Sequence, residues 1–431
     1  MSEFQNREQL TAHQLGELVS LLGALRQSNP FYQAKLRALG TLPHGSAEGV
    51  LAQVLALIPH TVKAELVADQ RDHSPFGTNL TFPMASYVRC HQTSGSAGSP
   101  IRWLDTSASW EAMLEQWQRV FAAAGVKPED RFFFAFSFGP FLGFWTAFEA
   151  ATRLGNLCFP GGGLSSLARL HNLIDNQATI LCCTPTYALH LGEVAAANQI
   201  DLTTSAIRRL IVAGEPGGSI PSTRRRLEAL WPKARVCDHH GMTEVGPVTY
   251  ECPDQPGLLH VMERSYIAEV LQPGASEPVA PGEVGELVLT TLKRSGSPLL
   301  RYRTCDLVAA QSRTGERCTC GTLDLGLRGG IIGRTDDMVV VRGVNLYPSA
   351  VEEVIRRVGG IAEYQVRVDK SSPLAAVVVQ VEPGPDACDA TLVADQLRRE
   401  LHQAFALKFE VETVPPGTLP RFELKAKRWR S

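Results

Sequence analysis

The chain has 431 residues, of which 44% are hydrophobic and 20% are charged. This length predicts about two to three domains, and the composition excludes a chain that is disordered overall. The 42 basic residues nearly balance the 44 acidic ones, and the net charge of −2 argues against binding to nucleic acid or to an acidic membrane through bulk charge.

The amino-terminal residues and the cysteines indicate the compartment. The chain starts with a polar, acidic stretch that lacks the basic start and apolar run of a signal peptide. No apolar stretch approaches the ~18 residues that a transmembrane helix needs. The ten cysteines are irregularly spaced, which does not suit a disulfide framework. We expect a soluble, cytoplasmic protein with thiols that are free or metal-bound.

The hydrophobic pattern predicts an α/β fold. Leucines at helical spacing predict helix within residues 12–40, interrupted at Pro30. Between about 85 and 250, short apolar runs alternate with longer amphipathic stretches, which predicts a large α/β domain with mostly parallel strands. Residues 258–312 are β-rich with glycine and proline turns and predict an antiparallel or barrel-like subdomain. The predicted strands of the α/β part are the apolar runs at 131–136, 178–183, 208–214 and 234–241.

A further change of pattern marks a small carboxy-terminal domain. The segment after residues 333–337 predicts a helix, two strands and a second helix, an order that suits an α+β domain. We place the boundary at Asp336. The expected organisation is therefore a large α/β domain with a β-rich subdomain at 1–335, followed by a small α+β domain at 336–431.

A loop of small residues at 92–100 is the first segment with chemical potential. Gly95 and Gly98 permit close backbone approach, and N–H groups with neighbouring hydroxyls can hold phosphate oxygens. The alternative is a flexible surface loop, because small polar loops are common. It is not a Walker P-loop, because no Gly-Lys-Ser/Thr follows.

A second segment, at 239–246, combines a carboxylate, a hydroxyl and a ring. Glu244 beside Thr243 can hold Mg²⁺ and a phosphate oxygen, because hard cations prefer oxygen ligands. The ring of His240 can stack on a base. The alternative is an ordinary polar loop.

Two later segments add charge. Asp306 can accept hydrogen bonds from a sugar diol and Arg334 can face an anion, although a salt-bridged strand end would contain the same residues. The basic segment at 419–428 is either a solvated tail or the carrier of a lysine that enters a site.

In this order the segments resemble those of the adenylate-forming enzymes, specifically the phenylacetate–coenzyme A ligase branch. The resemblance implies a large domain with a mobile carboxy-terminal lid. It also implies that ATP activates a carboxylic acid as an acyl-adenylate, with Mg²⁺ as cofactor, and that the thiol of coenzyme A then takes the acyl group. The segments that carry the resemblance, which covers nearly the whole chain, are 28–32, 92–100, 183–187, 213–217, 239–246, 300–306, 333–348 and 419–428.

The resemblance further implies roles for individual residues. Lys425 would bridge the substrate carboxylate and the α-phosphate, Thr243 would contact the α-phosphate, and Glu244 would ligate Mg²⁺. Asp306 would hold the ribose hydroxyls and Arg334 would lie near the ribose and phosphate. The residues implied at the β- and γ-phosphates are Thr93, Ser94, Gly95, Ser96, Ala97 and Gly98. Those implied around the adenine are Gly214, Glu215, Pro216 and His240, and the further implied cofactor-binding residues are His239, Gly241 and Met242.

Asp336 matches the hinge of the lid, and three residues depart from the family pattern. Ser99 stands where the phosphate loop has a lysine, which removes one charge from phosphate binding. Cys305 and Leu424 each replace a glycine, the first beside the ribose position and the second before the terminal lysine. The residues with implied catalytic roles are retained, so we expect an active enzyme rather than a non-catalytic nucleotide-binding relative.

Two cysteine-rich segments predict a metal site. Cys252 and His260 have C-x₇-H spacing, and Cys318 and Cys320 form a C-x-C pair. Thiolates and imidazole suit a closed, structural Zn²⁺ site, with Cys305 as a less favoured ligand. Four unrelated side chains are the alternative. Some members of the resembled branch carry a zinc knuckle in this region, and we therefore expect structural zinc.

The ring-rich segment at 133–145 indicates which class of acid the protein binds. Phe138, Gly139 and Phe141 are the candidate pocket residues, and such a density of rings suits a flat aryl or arylacetic acid. The alternative places most of these rings in the core.

The alternative acceptors to coenzyme A are the phosphopantetheine of an acyl carrier protein or an amine. A homodimer is expected from base rates.

Overall fold

The computed structural model describes residues 4–40, 43–93, 100–311, 316–341, 344–369, 376–384, 389–422 and 428–430. Its helices are α1 Arg7–Ser28, α2 Pro30–Lys35, α3 Ala47–Leu57, α4 Lys63–Asp72, α5 Ser107–Ala123, α6 Trp145–Arg153, α7 Ser166–Asp175, α8 Pro185–Ala197, α9 Pro221–Leu230, α10 Pro348–Val358 and α11 Ala390–Phe405.

The strands are short in the first half of the chain and longer in the second. They are β1 Tyr87–Gln92, β2 Arg102–Thr106, β3 Arg131–Phe134, β4 Leu157–Pro160, β5 Ile180–Cys183, β6 Arg209–Val212, β7 Arg235–Asp238, β8 Gly241–Met242, β9 Gly246–Pro247, β10 Thr249–Glu251, β11 Leu258–Val261, β12 Tyr266–Leu271, β13 Val284–Thr291, β14 Tyr302–Ala310, β15 Gly326–Arg334, β16 Val339–Val341, β17 Val344–Leu346, β18 Ile361–Asp369, β19 Ala376–Pro383, β20 Phe409–Thr413 and β21 Trp429–Arg430.

A five-stranded parallel sheet forms the centre of the large α/β part. Its strand order is β4-β3-β5-β6-β7. Phe132 and Phe134 face one core while Phe133 faces the other, because side chains alternate along a strand. All four residues of β5 are buried, as expected for a parallel strand covered on both faces. The predicted α/β fold is confirmed.

The β-rich segment forms a six-stranded antiparallel sheet in the order β10-β11-β15-β14-β13-β12. This confirms the antiparallel alternative, since the described strands form an open sheet rather than a barrel. Helix α1 packs on this sheet: its buried leucines share a core with Ile267 and Leu292. The chain breaks between α1 and α2 at Asn29, because Pro30 has no N–H to continue α1 and instead starts α2.

The carboxy-terminal part has a core of its own, formed by residues from Val341 to Val411. Helices α10 and α11 accompany a four-stranded sheet of order β20-β19-β18-β21. The boundary at residues 335 and 336 stays a prediction. Within the described residues, no helix is both long and apolar enough to cross a membrane.

Candidate active site

The carboxyl ends of β5, β6 and β7 meet at one edge of the parallel sheet. In open α/β sheets this edge forms the ligand crevice. Strand β6 leads into the loop of Gly214, Glu215 and Pro216, and β7 leads directly into His239 and His240. Gly214 has a φ of 96°, which a glycine adopts without strain. The fold therefore brings two of the predicted nucleotide segments together.

The side chain of Glu215 fixes its loop to helix α8. Its Oε1 accepts a hydrogen bond of 2.8 Å from the backbone N–H of Thr186, in the first turn of α8. Thr184 caps the same helix by accepting from the N–H of Tyr187 at 3.2 Å. A carboxylate at a helix amino terminus is stabilised by the helix dipole. The Glu215 carboxylate thus holds the loop against the first turn of α8.

Thr243 and Glu244 lie in the turn of the β8–β9 hairpin, which Arg294 anchors from behind. The Arg294 guanidinium donates to Thr243 O at 2.6 Å and to both carboxylate oxygens of Asp105 at 2.6 Å. Both members of this ion pair are buried. The turn is held rigidly because a bidentate pair fixes orientation as well as distance.

Glu244 is buried and has a cationic partner that the sequence did not reveal. The Nζ of Lys63, the first residue of α4, lies 3.1 Å from Glu244 Oε1. The loop before α4 is fastened to β14, since Thr61 Oγ1 donates to Leu300 O at 2.8 Å and Arg303 N–H donates to Thr61 O at 2.9 Å. The site therefore holds a lysine beside the predicted metal ligand, contributed by a segment with no recognisable motif.

His240, Asp306 and Arg334 form a second cluster. His240 Nε2 lies 3.2 Å from Asp306 Oδ2, and Arg334 donates to Asp306 Oδ1 at 2.7 Å. Arg334 also makes two hydrogen bonds of 2.8 Å to the carboxylate of Asp336. Burial acts to lower the pKa of the Arg334 guanidinium, but the carboxylates of Asp306 and Asp336 outweigh it and raise that pKa. The predicted ribose and hinge residues are thus directly linked.

His239 differs from its neighbour because its side chain belongs to the core. Its Nδ1 lies 2.6 Å from Thr249 O, and its ring centroid is 4.5 Å from that of Trp117. Burial lowers the pKa of His239 to about 3, so the ring is neutral. Gly241 and Met242, by contrast, are half-buried residues of the hairpin.

Cys305 has a φ of 64°, in the left-handed region that favours glycine. Its carbonyl accepts from the N–H of Thr335 at 2.8 Å, which joins β14 to the segment that follows β15. The backbone conformation explains why a glycine suits this position in the resembled family.

The two segments expected to contact the phosphates lie mostly outside the described residues. Thr93 closes the neck of the first: its N–H donates to Ile101 O at 2.9 Å and its Oγ1 accepts from Ile101 N–H at 3.0 Å. The predicted residues outside the description are Ser94, Gly95, Ser96, Ala97, Gly98, Ser99, Leu424 and Lys425.

The rings of the segment at 133–145 differ in how deeply they are buried. The phenylalanines of β3 and the neighbouring Phe136 and Phe144 are buried. Phe138 and Phe141 are half-buried and pack against the ring of Phe136 at centroid distances of 5.7 and 5.4 Å. Gly139 accepts a hydrogen bond of 3.0 Å from the Trp145 indole N–H. The core alternative is confirmed for the buried rings, and the pocket role of Phe138, Gly139 and Phe141 stays a prediction.

The four predicted zinc ligands form a separate cluster, which consists of Cys252, His260, Cys318 and Cys320. Their ligand atoms all lie within 4.8 Å of one another, with Cys252 Sγ 3.7 Å from Cys318 Sγ and Cys320 Sγ 3.6 Å from His260 Nε2. The described cysteines are free. Zinc–sulfur bonds of about 2.3 Å place two thiolates of a tetrahedral site about 3.8 Å apart, so the donor set fits this ion. His260 Nδ1 lies 3.0 Å from Asp324 O, which leaves Nε2 for a metal.

Comparison with known proteins extends over nearly the whole chain. The family model described as AMP-binding enzyme matches residues 90–292, and that described as AMP-binding enzyme C-terminal domain matches residues 343–430. Phenylacetate-coenzyme A ligase of Thermus thermophilus is 31% identical over 97% of this chain and 95% of its own length. The Escherichia coli enzyme of the same name is 30% identical over 98% of this chain and 94% of its own length.

A solved ligase shows which domain arrangement the structure has. 2-Hydroxyisobutyryl-CoA ligase in the postadenylation state, 26% identical, matches with a TM-score of 0.88 over 97% of this chain and 88% of that chain. The same ligase in the thioesterification state matches with a TM-score of 0.71 over 98% of this chain and 89% of that chain. The present structure is therefore more similar to the postadenylation arrangement of that ligase than to its thioesterification arrangement. The chain belongs to the phenylacetate–coenzyme A ligase family of AMP-binding, adenylate-forming enzymes.

Proposed function

We propose that this chain activates an aryl or arylacetic acid with ATP and transfers the acyl group to coenzyme A. The coarser activity, that of an AMP-forming acid–coenzyme A ligase with these two substrates, follows from the family. The observation that carries the proposal is the convergence of the Thr243–Glu244 turn with the His240, Asp306 and Arg334 cluster at one edge of the sheet.

The reaction has two steps. A carboxylate oxygen of the acid attacks the α-phosphorus, and pyrophosphate leaves. The thiol sulfur then attacks the acyl carbon, AMP leaves with the bridging oxygen, and the thiol proton is released. Lys425 would hold the acid and the α-phosphate together, and Thr243 would donate to the α-phosphate as charge moves onto it. Asp306 would fix the ribose, with Arg334 setting the orientation of its carboxylate.

Magnesium belongs to this proposal through Glu244. The carboxylate is buried, and its ion pair with the Lys63 ammonium group 3.1 Å away supports a role in binding a cation. Magnesium bound there would offset phosphate charge. We also propose that Lys63 contributes the positive charge that Ser99 does not supply in the phosphate loop, since its side chain is 43% exposed at the rim of the site.

Lys63→Gln should raise the KM for MgATP about tenfold, because one charge–phosphate interaction is lost from a partly exposed site. Steady-state kinetics of acid-dependent pyrophosphate release measure it. Lys293→Gln is the matched control, because it removes the Lys293–Glu17 pair elsewhere on the large domain. If Lys63 merely occupies the position of the proposed Mg²⁺ ion at Glu244, the variant will instead reach full activity at a lower Mg²⁺ concentration, and its KM for ATP will be unchanged.

We propose that the Cys252, His260, Cys318 and Cys320 cluster holds a structural zinc ion. The four donor atoms support this through their distances, and all four side chains are at least half-buried. The ion would join the β10–β11 segment to the loop before β15, the strand that ends at Arg334.

Metal analysis of protein purified without chelator should find about one zinc per chain, the content of a closed four-ligand site. Cys252→Ser should remove most of it and lower the midpoint of thermal unfolding by about 4 °C or more. Cys90→Ser, which changes an exposed thiol on β1, should alter neither. Wild-type protein that is folded with well under one zinc per chain would contradict the site.

The acid is proposed from the half-buried rings of Phe138 and Phe141 and from the named activity of the relatives. Phe141→Ala should change the kcat/KM ratio between an arylacetic and a short aliphatic acid by about tenfold or more, the value of one ring contact in a pocket. The KM for ATP should stay within about twofold, because the nucleotide contacts are untouched. Phe82→Ala, at an exposed ring, is the control. Unchanged selectivity across the acid panel would contradict the pocket.

A panel of acids with ATP and Mg²⁺, with and without coenzyme A, tests the function. It includes aryl, arylacetic and aliphatic acids and the branched hydroxy acid named for the solved neighbour. Acid-dependent pyrophosphate release with a thioester product supports the proposal. Pyrophosphate release without a thioester product would indicate that a carrier protein or an amine, rather than coenzyme A, accepts the acyl group. The absence of pyrophosphate release with any acid would contradict the function. The homodimer and the cytoplasmic location stay predictions.

A further inference from the structure

The small carboxy-terminal part contacts helices α8 and α9 of the large part through a small set of polar side chains. Ser222 near the start of α9 is buried, and its Oγ donates to Glu353 Oε2 of α10 at 2.6 Å. On the neighbouring helix α8, Thr186 Oγ1 accepts a hydrogen bond of 3.5 Å from the Arg428 guanidinium. These two contacts join the two parts of the chain in the postadenylation arrangement.

Arg428 is the most heavily engaged of these residues. It is 5% exposed, and its guanidinium makes a two-pronged contact with Glu363 at 2.6 and 3.2 Å. It also lies 3.4 Å from Glu352 Oε1, and it covers the ring of Tyr364 at 5.0 Å. Its backbone carbonyl accepts from the N–H of Val366 at 2.8 Å, in the sheet of the small part. Such a buried, forked contact fixes the position of the chain at this residue.

The position of Arg428 connects this anchor to the chemistry. It is three residues after Lys425. On its other side, Thr186 is the residue whose backbone N–H binds the Glu215 carboxylate in the predicted adenine loop. Arg428 thus lies between the segment of the proposed catalytic lysine and the segment of the proposed nucleotide site.

One acidic side chain of α8 interacts electrostatically with the small part. Burial raises the pKa of Glu193 on α8, while the positive charges of Arg356 and Arg421 in the small part act against that shift. Glu193 is therefore close enough to Arg356 and Arg421 for their charges to act on it, while the carboxylate of Glu363 in the small part acts in the opposite direction. The pairing belongs to this arrangement of the domains, which the thioesterification structure of the related ligase matches less well.

We propose that Arg428 and the Ser222–Glu353 hydrogen bond are positioning elements of the first half-reaction alone. They hold the small domain on α8 and α9 while the acyl-adenylate forms, and they separate before the thiol reacts. This inference rests on the proposed function. Because one chain must reach both arrangements in each turnover, their free energies lie close together, and the loss of these contacts shifts the population.

Separate assays of the two half-reactions test the inference on the full chain. ATP–pyrophosphate exchange measures the first, and thioester formation from supplied acyl-adenylate and coenzyme A measures the second. Arg428→Lys keeps the charge but loses the fork, and it should slow exchange about tenfold while thioester formation stays within about twofold. Arg357→Lys is the matched control, because it alters an exposed pair with Glu400 inside the small part.

A double variant keeps the test valid if Arg428→Lys does not fold. Ser222→Ala with Thr186→Val removes the two hydrogen bonds described above and leaves the Arg428–Glu363 pair intact, and it should slow exchange about fivefold. Equal loss in both half-reactions, or no loss in either, would overturn the inference. If wild-type protein shows no acid-dependent exchange, the proposed function fails instead.

Discussion

Lys425→Ala should abolish measurable acid-dependent ATP–pyrophosphate exchange, with a loss of about 10²–10³-fold or more. The proposed lysine would hold two negatively charged groups together and offset the charge that builds on the phosphate oxygens in the transition state of adenylation. A group that acts there lowers the rate without a matching effect on ground-state binding. Thioester formation from supplied acyl-adenylate should stay within about twofold, because the attack of the carboxylate on the α-phosphorus is already complete in that substrate.

Lys427→Ala supplies the matched control, since it removes the same charge two residues further along the segment. Thermal unfolding of both variants shows whether either substitution disturbs the fold. Exchange in Lys425→Ala at the rate of the wild type would remove this lysine from the mechanism, whatever the activity of the whole enzyme.

Glu244→Gln should reduce exchange by about 10²-fold or more at ordinary Mg²⁺ concentrations. The amide keeps the shape of the side chain but loses the charge that the proposed ion and Lys63 both need. A neutral ligand binds Mg²⁺ more weakly, and higher concentrations of the ion should therefore restore part of the rate. The measurement is a Mg²⁺ titration of exchange at saturating ATP.

Glu17→Gln is the control for this variant, because Glu17 pairs with Lys293 outside the proposed site. A Mg²⁺ dependence equal to that of the wild type in Glu244→Gln would contradict the ligand assignment. A variant that unfolds at a lower temperature without any change in Mg²⁺ dependence would point to a structural role for the Lys63–Glu244 pair.

The fold was predictable from local patterns except where distant segments decide the outcome. The run at 208–214 predicted β6, but the strand ends at Val212 because Gly214 turns away with its positive φ. The run at 234–241 likewise ends at Asp238, where the chain leaves the sheet for the site. Whether the β-rich segment closes as a barrel depends on pairing between strands far apart in sequence, which hydrophobic spacing does not determine.

The segments that form the candidate site could be predicted from the sequence, but the side chains that pair with them could not. The Thr243–Glu244 pair stands out because small and charged residues follow a buried strand. Lys63 and Arg294 do not stand out, because each lies in an ordinary sequence and meets the hairpin only after folding. The sequence shows that Cys305 departs from the family pattern, but only the structure shows that its φ is 64°.

The central claim is that the acid becomes an acyl-adenylate, and the fate of its carboxylate oxygen tests this directly. We would incubate the protein with ATP, Mg²⁺, coenzyme A and an arylacetic acid labelled with heavy oxygen in the carboxylate. The account predicts that one labelled oxygen appears in AMP, because AMP leaves with the oxygen that attacked phosphorus. Label in inorganic phosphate with ADP as product, or thioester formation with no label in AMP, would contradict it.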